Sequence, residues 1–418
     1  MNAVESLKRE TRFLARERGI LIWMLIVVCL SSLALWTGLA EVQYQHETID
    51  RLLTSDQQDR SSELAKQASW GGAAYYSFHV TYDRPSDFAF AAIGQREVLP
   101  WKHRIRMLAL EGQIYEHDAG NPELALVGRF DFAFFVAFVL PLILIVLLHD
   151  LKASERVAGR FELLNASAPS SRTLWWSRAG LKAFGVLLAC VLPLFVAGLS
   201  SGTDLSTLSL ATVLVSIYVL FWTVVCYIFS SWARSAPVIL SALVGIWVLL
   251  GTVLPAGSRL IVDAMVPVPS GADILMTQRE AVNDAWDLPV QETMVPFAER
   301  HPEWRAYVHN GEGFDWPWYY AFQQVGDQKA EALSQAYQRG RLARDRYAGV
   351  AALVAPPVML ERLLQQLAQT DMRSAIAYEN RVRAFHGELR AFFYPMLFGQ
   401  QPYDATQLEE LPQFQSDQ

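Results

Sequence analysis

Five apolar runs of this 418-residue chain hold no Asp, Glu, Lys, Arg or His in their middles. Ionisable residues inside a membrane mark ion and proton pathways, so their absence argues against a transporter driven by protons or sodium. It argues equally against a hydrolase or protease embedded in the bilayer, which needs acids, bases or metal ligands there. Cysteine is scarce: Cys29, Cys190 and Cys226 all lie inside apolar runs, where they read as packing residues without a disulfide framework or metal spacing. No G-x-x-x-x-G-K-[S/T] phosphate loop occurs, so energy from ATP has to come through another subunit. Neither H-E-x-x-H nor C-x-x-C accompanies Glu116-His117-Asp118, the nearest thing to a metal cluster, and those residues read as surface polar groups. Catalytic, cofactor and metal sites are therefore not expected.

What is present is apolar residue in quantity. Hydrophobic residues make up 52% of the chain and the mean hydropathy is positive, which suits a membrane protein with soluble parts. The net charge of −7 argues against a nucleic-acid partner. Residues 1–19 are basic (Lys8, Arg9, Arg12, Arg16, Arg18) and precede the uncharged run 20–40. At about 1.5 Å per residue this run reaches roughly 30 Å, the thickness of the bilayer core. A cleaved signal peptide is the competing reading, but the run is longer than a signal core and Trp36-Thr37-Gly38 is a poor cleavage site. Further spans are expected at 130–148, 179–199, 208–229 and 238–254. Pro141 lies inside the second, and Asp131 sits at its outer edge, where it is expected to stay wet.

The connection 148–182 orients the chain. Lys152, Arg156, Arg160, Arg172 and Arg178 place it on the cytoplasmic side, because short loops rich in Lys and Arg are retained inside. The N-terminus is then cytoplasmic, and 41–129 and 255–418 lie outside. Within the connection, Ser154 is expected to cap a short helix that puts Val157, Ala158, Phe161 and Leu164 on one face. Trp175 and Trp176 anchor the return into the bilayer. The plain reading is a solvated loop, and the sharper one a docking helix for a cytoplasmic partner.

Of the outer segments, 41–67 has helical periodicity through Val42, Ile49, Leu52 and Leu53, a stalk that Trp70-Gly71-Gly72 should break. Aromatics and β-formers up to Pro100, with a turn at Asp83-Arg84-Pro85, predict a few short strands or loops. Helices are expected at 272–285, 316–350 and 357–398, with breaks at Gly311–Gly313 and Pro356-Pro357. Leu360, Leu363, Leu364 and Leu367 form a stripe that either packs on a neighbouring helix or lies on the membrane. The fold class is thus mainly α: a polytopic helical membrane protein with five spans and two extracytoplasmic regions, α-rich or α+β.

Glu155-Arg156-x-x-Gly159, Leu163-Leu164, Pro169, Ser170, Arg178 and Lys182 resemble the "E-R/E-x-x-G-T-L … P-x-S … K" loop of ABC-type export permeases. Departures fall at Arg160, commonly Thr in that family, and at Arg156, often Glu. Glu10-x-Arg12, Arg16-x-Arg18 and Gly38 resemble the start of the same permeases. Ala91-Ala92-Ile93-Gly94-Gln95, Asn121-Pro122-Glu123-Leu124-Ala125 with Gly128-Arg129-Phe130-Asp131, Leu367-Ala368-Gln369-Thr370-Asp371, Phe385-His386-x-x-Leu389-Arg390 and Leu411-Pro412-x-Phe414 resemble one branch of uncharacterised function, with two large extracytoplasmic insertions. The resemblance implies a bacterial inner-membrane permease subunit and a separate ATP-binding cassette subunit that docks on Glu155, Arg156, Gly159, Arg160, Phe161 and Leu164. It also implies a second permease copy or paralogue, and a sixth span expected after Phe414. The alternative is a scaffold or mechanotransmission protein that grips a periplasmic partner and moves no substrate.

Overall fold

Among the described residues five helices are long and apolar enough to cross a membrane: Arg18–Leu64, Phe132–Val157, Ser171–Ser201, Leu205–Ser230 and Ala236–Met265, here the first to fifth spans. They come from a computed structural model that describes residues 10–12, 16–116, 130–168, 170–307 and 314–416. The chain is a polytopic helical membrane protein. Spans one to four pack around a core that includes Val27, Leu35, Phe135, Ile143, Val186, Leu194, Val215 and Trp222. The fifth span is the least buried, with only Ile239 and Leu243 fully inside.

Proline interrupts these helices, and at Pro141 and Pro193 neighbouring side chains reach the carbonyls it frees. Pro141 follows a π turn, Phe135–Val139, in which Ala137 O accepts from Tyr218 Oη (2.6 Å) and Phe138 O from Trp247 Nε1 (3.0 Å). Ala189 O, one turn before Pro193, lies 3.5 Å from Ser31 Oγ. In hydrocarbon no water replaces a missing partner, so such bonds between helices set the packing. Pro255 also follows a π turn, Leu249–Val253, and the fifth span, expected to stop at residue 254, continues to Met265. The wider turn relieves the clash that the proline ring makes with the preceding carbonyls.

The stalk is real: the first span continues unbroken to Leu64. The break falls at Ala65–Ser69, and Trp70–Tyr76, expected to interrupt, is itself helix α1, capped by Ser69 Oγ accepting from Gly72 N. Gly71 is required there, since a Cβ would stand 1.9 Å from the Trp316 ring. Two four-residue strands follow, β1 (His79–Tyr82) and β2 (Lys102–Ile105), antiparallel with His79 opposite Ile105. Next comes α2 (Leu110–Tyr115).

The second span ends in a short segment, α3 (Ala153–Val157), and the connection continues with α4 (Phe161–Ser167). Beyond the fifth span stand α5 (Gly271–Asp284), α6 (Val290–Arg300), α7 (Trp316–Ala352), α8 (Pro356–Leu367) and α9 (Met372–Phe398). Helix α6 was not expected; Pro289 and Pro296 disguise it. The single helix expected over 357–398 is two, parted where Gln369 takes φ +55° and Asp371 caps α9 by accepting from Ser374 N. Gly311–Gly313, Gly128 and the motif at 121–125 lie outside the described residues.

The two polar segments share one core. Trp70, Ile105 and Leu110 from the first pack with Ile274, Phe297, Trp318, Tyr320, Phe322, Phe385, Phe393 and Phe398 from the second. The tryptophans of 316–318 belong to this head, Trp318 donating to Thr293 Oγ1 at 2.7 Å. Asp327, expected by nothing in the sequence, accepts from Leu110 N, Glu111 N and Arg390 Nη2.

The head seats on the bundle through buried polar contacts. Asp131 is not wet: it is buried, accepting from Ile93 N (2.9 Å) and Phe134 N (2.8 Å). Thr37 Oγ1 donates to Phe130 O, and Thr203 Oγ1 to Asp87 O. Gly38 lies so close to the Phe90 carbonyl that a Cβ would come within 1.9 Å. Gly94, at φ +54°, lets Gln95 N donate to Thr370 O, and Thr370 Oγ1 donates back to Ala92 O. The leucine stripe is settled by the same seat: Leu360 and Leu364 of α8 are buried in the bundle core, where α8 packs against the second, fourth and fifth spans.

Replacing Tyr218 with Phe leaves Ala137 O without its donor in hydrocarbon. The cost is about 1–2 kcal/mol in a reversible unfolding titration in mixed micelles. A second expectation concerns pH. His79 is held neutral between Arg60, which approaches Nδ1 at 3.1 Å, and Ser77 Oγ, 3.0 Å from Nε2. Burial first and Arg60 second push its pKa down to about 3. The unfolded chain takes up a proton near pH 6.5 that folded His79 refuses, so its contribution is lost as pH falls from about 6.5 towards 3. Glu361, pushed up to about 7 by burial and by Asp131, works in the opposite sense. The readout is therefore the difference between wild type and His79→Gln: the melting temperature of the variant should fall less between pH 7 and pH 5.

Candidate docking surface on the second-to-third span connection

The connection is an elbow, not one helix. Gly159 takes φ +68°, a conformation that favours glycine, and divides α3 from α4. Ser154 does not cap; its Oγ donates to Asp150 O from within the turn. Because the elbow changes the helical phase, the expected shared face is split. Phe161 and Leu164 turn inward, Phe161 stacking on Trp175 at 5.6 Å, while Val157 stands 88% exposed.

Charge fixes the elbow to the bundle. Arg178, at the foot of the third span, donates from Nε to Glu10 Oε2 (2.8 Å) and from Nη1 to Glu155 Oε1 (3.1 Å). The other oxygen of Glu155 accepts from Arg160 Nε at 2.8 Å. Arg156 reaches sideways, donating to Trp232 O (2.7 Å) and Ser231 O (3.3 Å) just past the end of the fourth span. Lys152 donates to Ser231 Oγ and lies 4.1 Å from the centre of the Tyr227 ring, which stacks on Trp176. Asn165 Oδ1 accepts from Trp175 Nε1 and Ser171 Oγ, closing the outer end. Between Glu10, Trp23, Glu155, Arg160 and Lys182 a polar cleft of about 380 Å³ remains.

Of the six residues expected to meet a partner, only Gly159 and Arg160 are fully at the surface; Glu155, Arg156, Phe161 and Leu164 hold the elbow in place. Val157, on the expected face, is outward; the outward residue that periodicity left off that face is Leu163, 71% exposed. The signal was there. Treating Gly159 as a break would have restarted the phase and turned Leu163 outward beside Val157.

No group of three or more His, Cys, Asp or Glu that could hold a metal occurs among the described residues. Glu116 pairs with Arg279 (3.0 Å), while His117 and Asp118 lie outside the described residues. Gly198-Leu199-Ser200-Ser201-Gly202 matches the letters of a nucleophile elbow, although none was expected from the sequence. Its serine ends a membrane helix and donates to Ala197 O, without the strand-to-helix turn that such a nucleophile needs.

Fold and site together define a helical membrane protein that carries an α-rich head at one end of its bundle and a charge-clamped elbow at the other. Residues 273–417, the greater part of that head, match a family model described as a domain of unknown function (DUF3526). No curated protein and no solved structure matches the chain.

Arg178→Ala should remove the cation that Glu10 and Glu155 share, leaving the elbow end of Glu155 held by Arg160. Losing one partner of a largely buried pair costs about 3 kcal/mol, and limited trypsin digestion should then cut at Arg156 and Arg160 several times faster than in wild type.

Proposed function

We propose that this chain is the membrane-spanning subunit of an ABC exporter-like complex in a bacterial inner membrane, with the elbow in the cytoplasm. A separate ATP-binding subunit drives it, and a second permease copy or paralogue completes the complex. One observation carries the reading: an exposed apolar tip, Val157 and Leu163, sits on an elbow tied at once to the N-terminal segment, the third span and the loop after the fourth. A push on such a tip is shared among several spans rather than absorbed by a loose loop. Coupling of this kind needs an element with two arrangements that both sites bias, and the elbow against the bundle is the candidate.

A second reading has its own support. The first span runs without a break from the bundle into the head, and α8 rests on three other spans. That arrangement suits a protein that transmits movement to a partner at the head and carries nothing across. Crosslinking from the head in cells separates the two: a captured protein favours transmission, a captured lipid or small molecule favours export.

The docking claim is tested by purifying the chain from its native membrane. Wild type should bring an ATP-binding subunit with it, and Val157→Asp with Leu163→Asp should lose that subunit while the melting temperature holds. Charge reversal at Arg156 and Arg160 should leave a complex whose ATP turnover no longer follows activity. Absence of any ATP-binding subunit from the wild-type preparation, or full retention by the aspartate variant, would defeat the proposal.

A further inference from the structure

Where the fifth span leaves the bundle, its extension Leu254–Met265 runs beside the end of α7 and the start of α8, and a cleft of about 400 Å³ opens between them. Pro255 and Val262 form one wall; Ala348, Ala351, Ala352, Ala355 and Val358 form the other. The volume is that of a small-ligand site, and the walls are apolar.

The mouth is cationic. Asp263 is shared by Arg344 (3.3 Å) and Arg259 (3.8 Å), and Asp345 by Arg362 (2.8 Å) and Arg373 (3.8 Å). Arg259, Arg344 and Arg362, with Arg373 just outside, thus stand against Asp263, Asp345 and Asp371, one positive charge in excess. Asp371 also caps α9, and Arg341 pairs with Glu379. Arg259 is 85% exposed and directed by no strong pair.

Exposed apolar residues stand beside the cleft: Val248, Leu249 and Val253 on the fifth span, Leu260 and Ile261 along the extension, and Val350, Leu353 and Val354 at the end of α7 and just after it. An apolar slot beside such residues and under an excess of arginine fits one kind of molecule.

We propose that this slot binds an anionic phospholipid from the leaflet at the head end, with one acyl chain between the extension and α7 and the phosphate on Arg259 and Arg344. Arginine forks match phosphate geometry, and basic residues at a membrane border attract anionic headgroups. The site holds whether or not ATP drives the protein.

Native mass spectrometry of the purified chain tests it, with phosphatidylglycerol, phosphatidylcholine and inorganic phosphate as probes. One phosphatidylglycerol per chain should survive detergent exchange, and phosphatidylcholine should not. Arg259→Glu, on an exposed side chain that the fold does not need, should weaken retention about tenfold. Ala348→Phe should abolish it by filling the slot, while Val196→Ala on the third span should change nothing. Equal retention of both lipids, or no loss in either slot variant, would mean an unspecific lipid coat and overturn the site. Displacement of the lipid by inorganic phosphate alone would reduce it to an anion site without a chain. Disulfide crosslinking of Ala351→Cys between two chains in membranes would show a second copy in the slot, which overturns the proposal as well.

Discussion

A backbone carbonyl inside hydrocarbon has no water to turn to, and most of this structure follows from that demand. Pro141 and Pro193 each remove a donor from the helical ladder, and the bundle supplies Tyr218, Trp247 and Ser31 at the carbonyls left over. Those three side chains come from three other spans, so satisfying the backbone also decides which helices lie side by side. The head obeys the same rule at its seat. Loop 86–93 is irregular, and it rests at the membrane border because Thr37, Asp131, Ser201 and Thr203 offer it, or its neighbours, matching hydrogen bonds.

The two ends of the bundle solve the problem of fixation differently. At the head end the bonds are short, neutral or singly charged, and enclosed, and they are joined by the apolar stripe of α8. At the elbow end they are charged: Arg178 lies largely buried between two carboxylates, while Arg156 covers the carbonyls after the fourth span from the surface. The exposed bonds of Arg156 and Arg160 are individually modest and can exchange partners at little cost, whereas the largely buried Arg178 pairs hold. A seat built from buried bonds resists change, whereas the exposed charges around the Arg178 pairs permit it, and the proposed docking tip lies among them.

What the sequence made legible was what local chemistry decides. The five spans followed from uninterrupted apolar runs, and the stalk from its periodicity. Helices α5 and α7 came within a few residues of their observed limits. What stayed hidden depends on distant partners. Asp131 looks like a wet residue until Ile93, far away in the chain, is found donating to it. The break between α8 and α9 rests on a non-glycine residue, Gln369, in a left-handed conformation that Thr370 secures through Ala92 and Gln95. The elbow was half legible: Glu155, Arg156 and Gly159 stood out as a motif, but reading a helix through Gly159 put Phe161 and Leu164 on one face with the exposed Val157 and left Leu163 out. The shared core of the head could not be read at all, because its halves are separated by four spans.

The unbroken first helix has a mechanical consequence. Beyond residue 40 it still extends to Leu64, an arm of about 35 Å at 1.5 Å per residue. Pivoted at the Gly38–Phe90 contact, a rocking of about 5° would displace its tip by roughly 3 Å, about two residues' rise along a helix. A small movement within the bilayer would therefore reach the far end of the head enlarged, with no joint between to dissipate it.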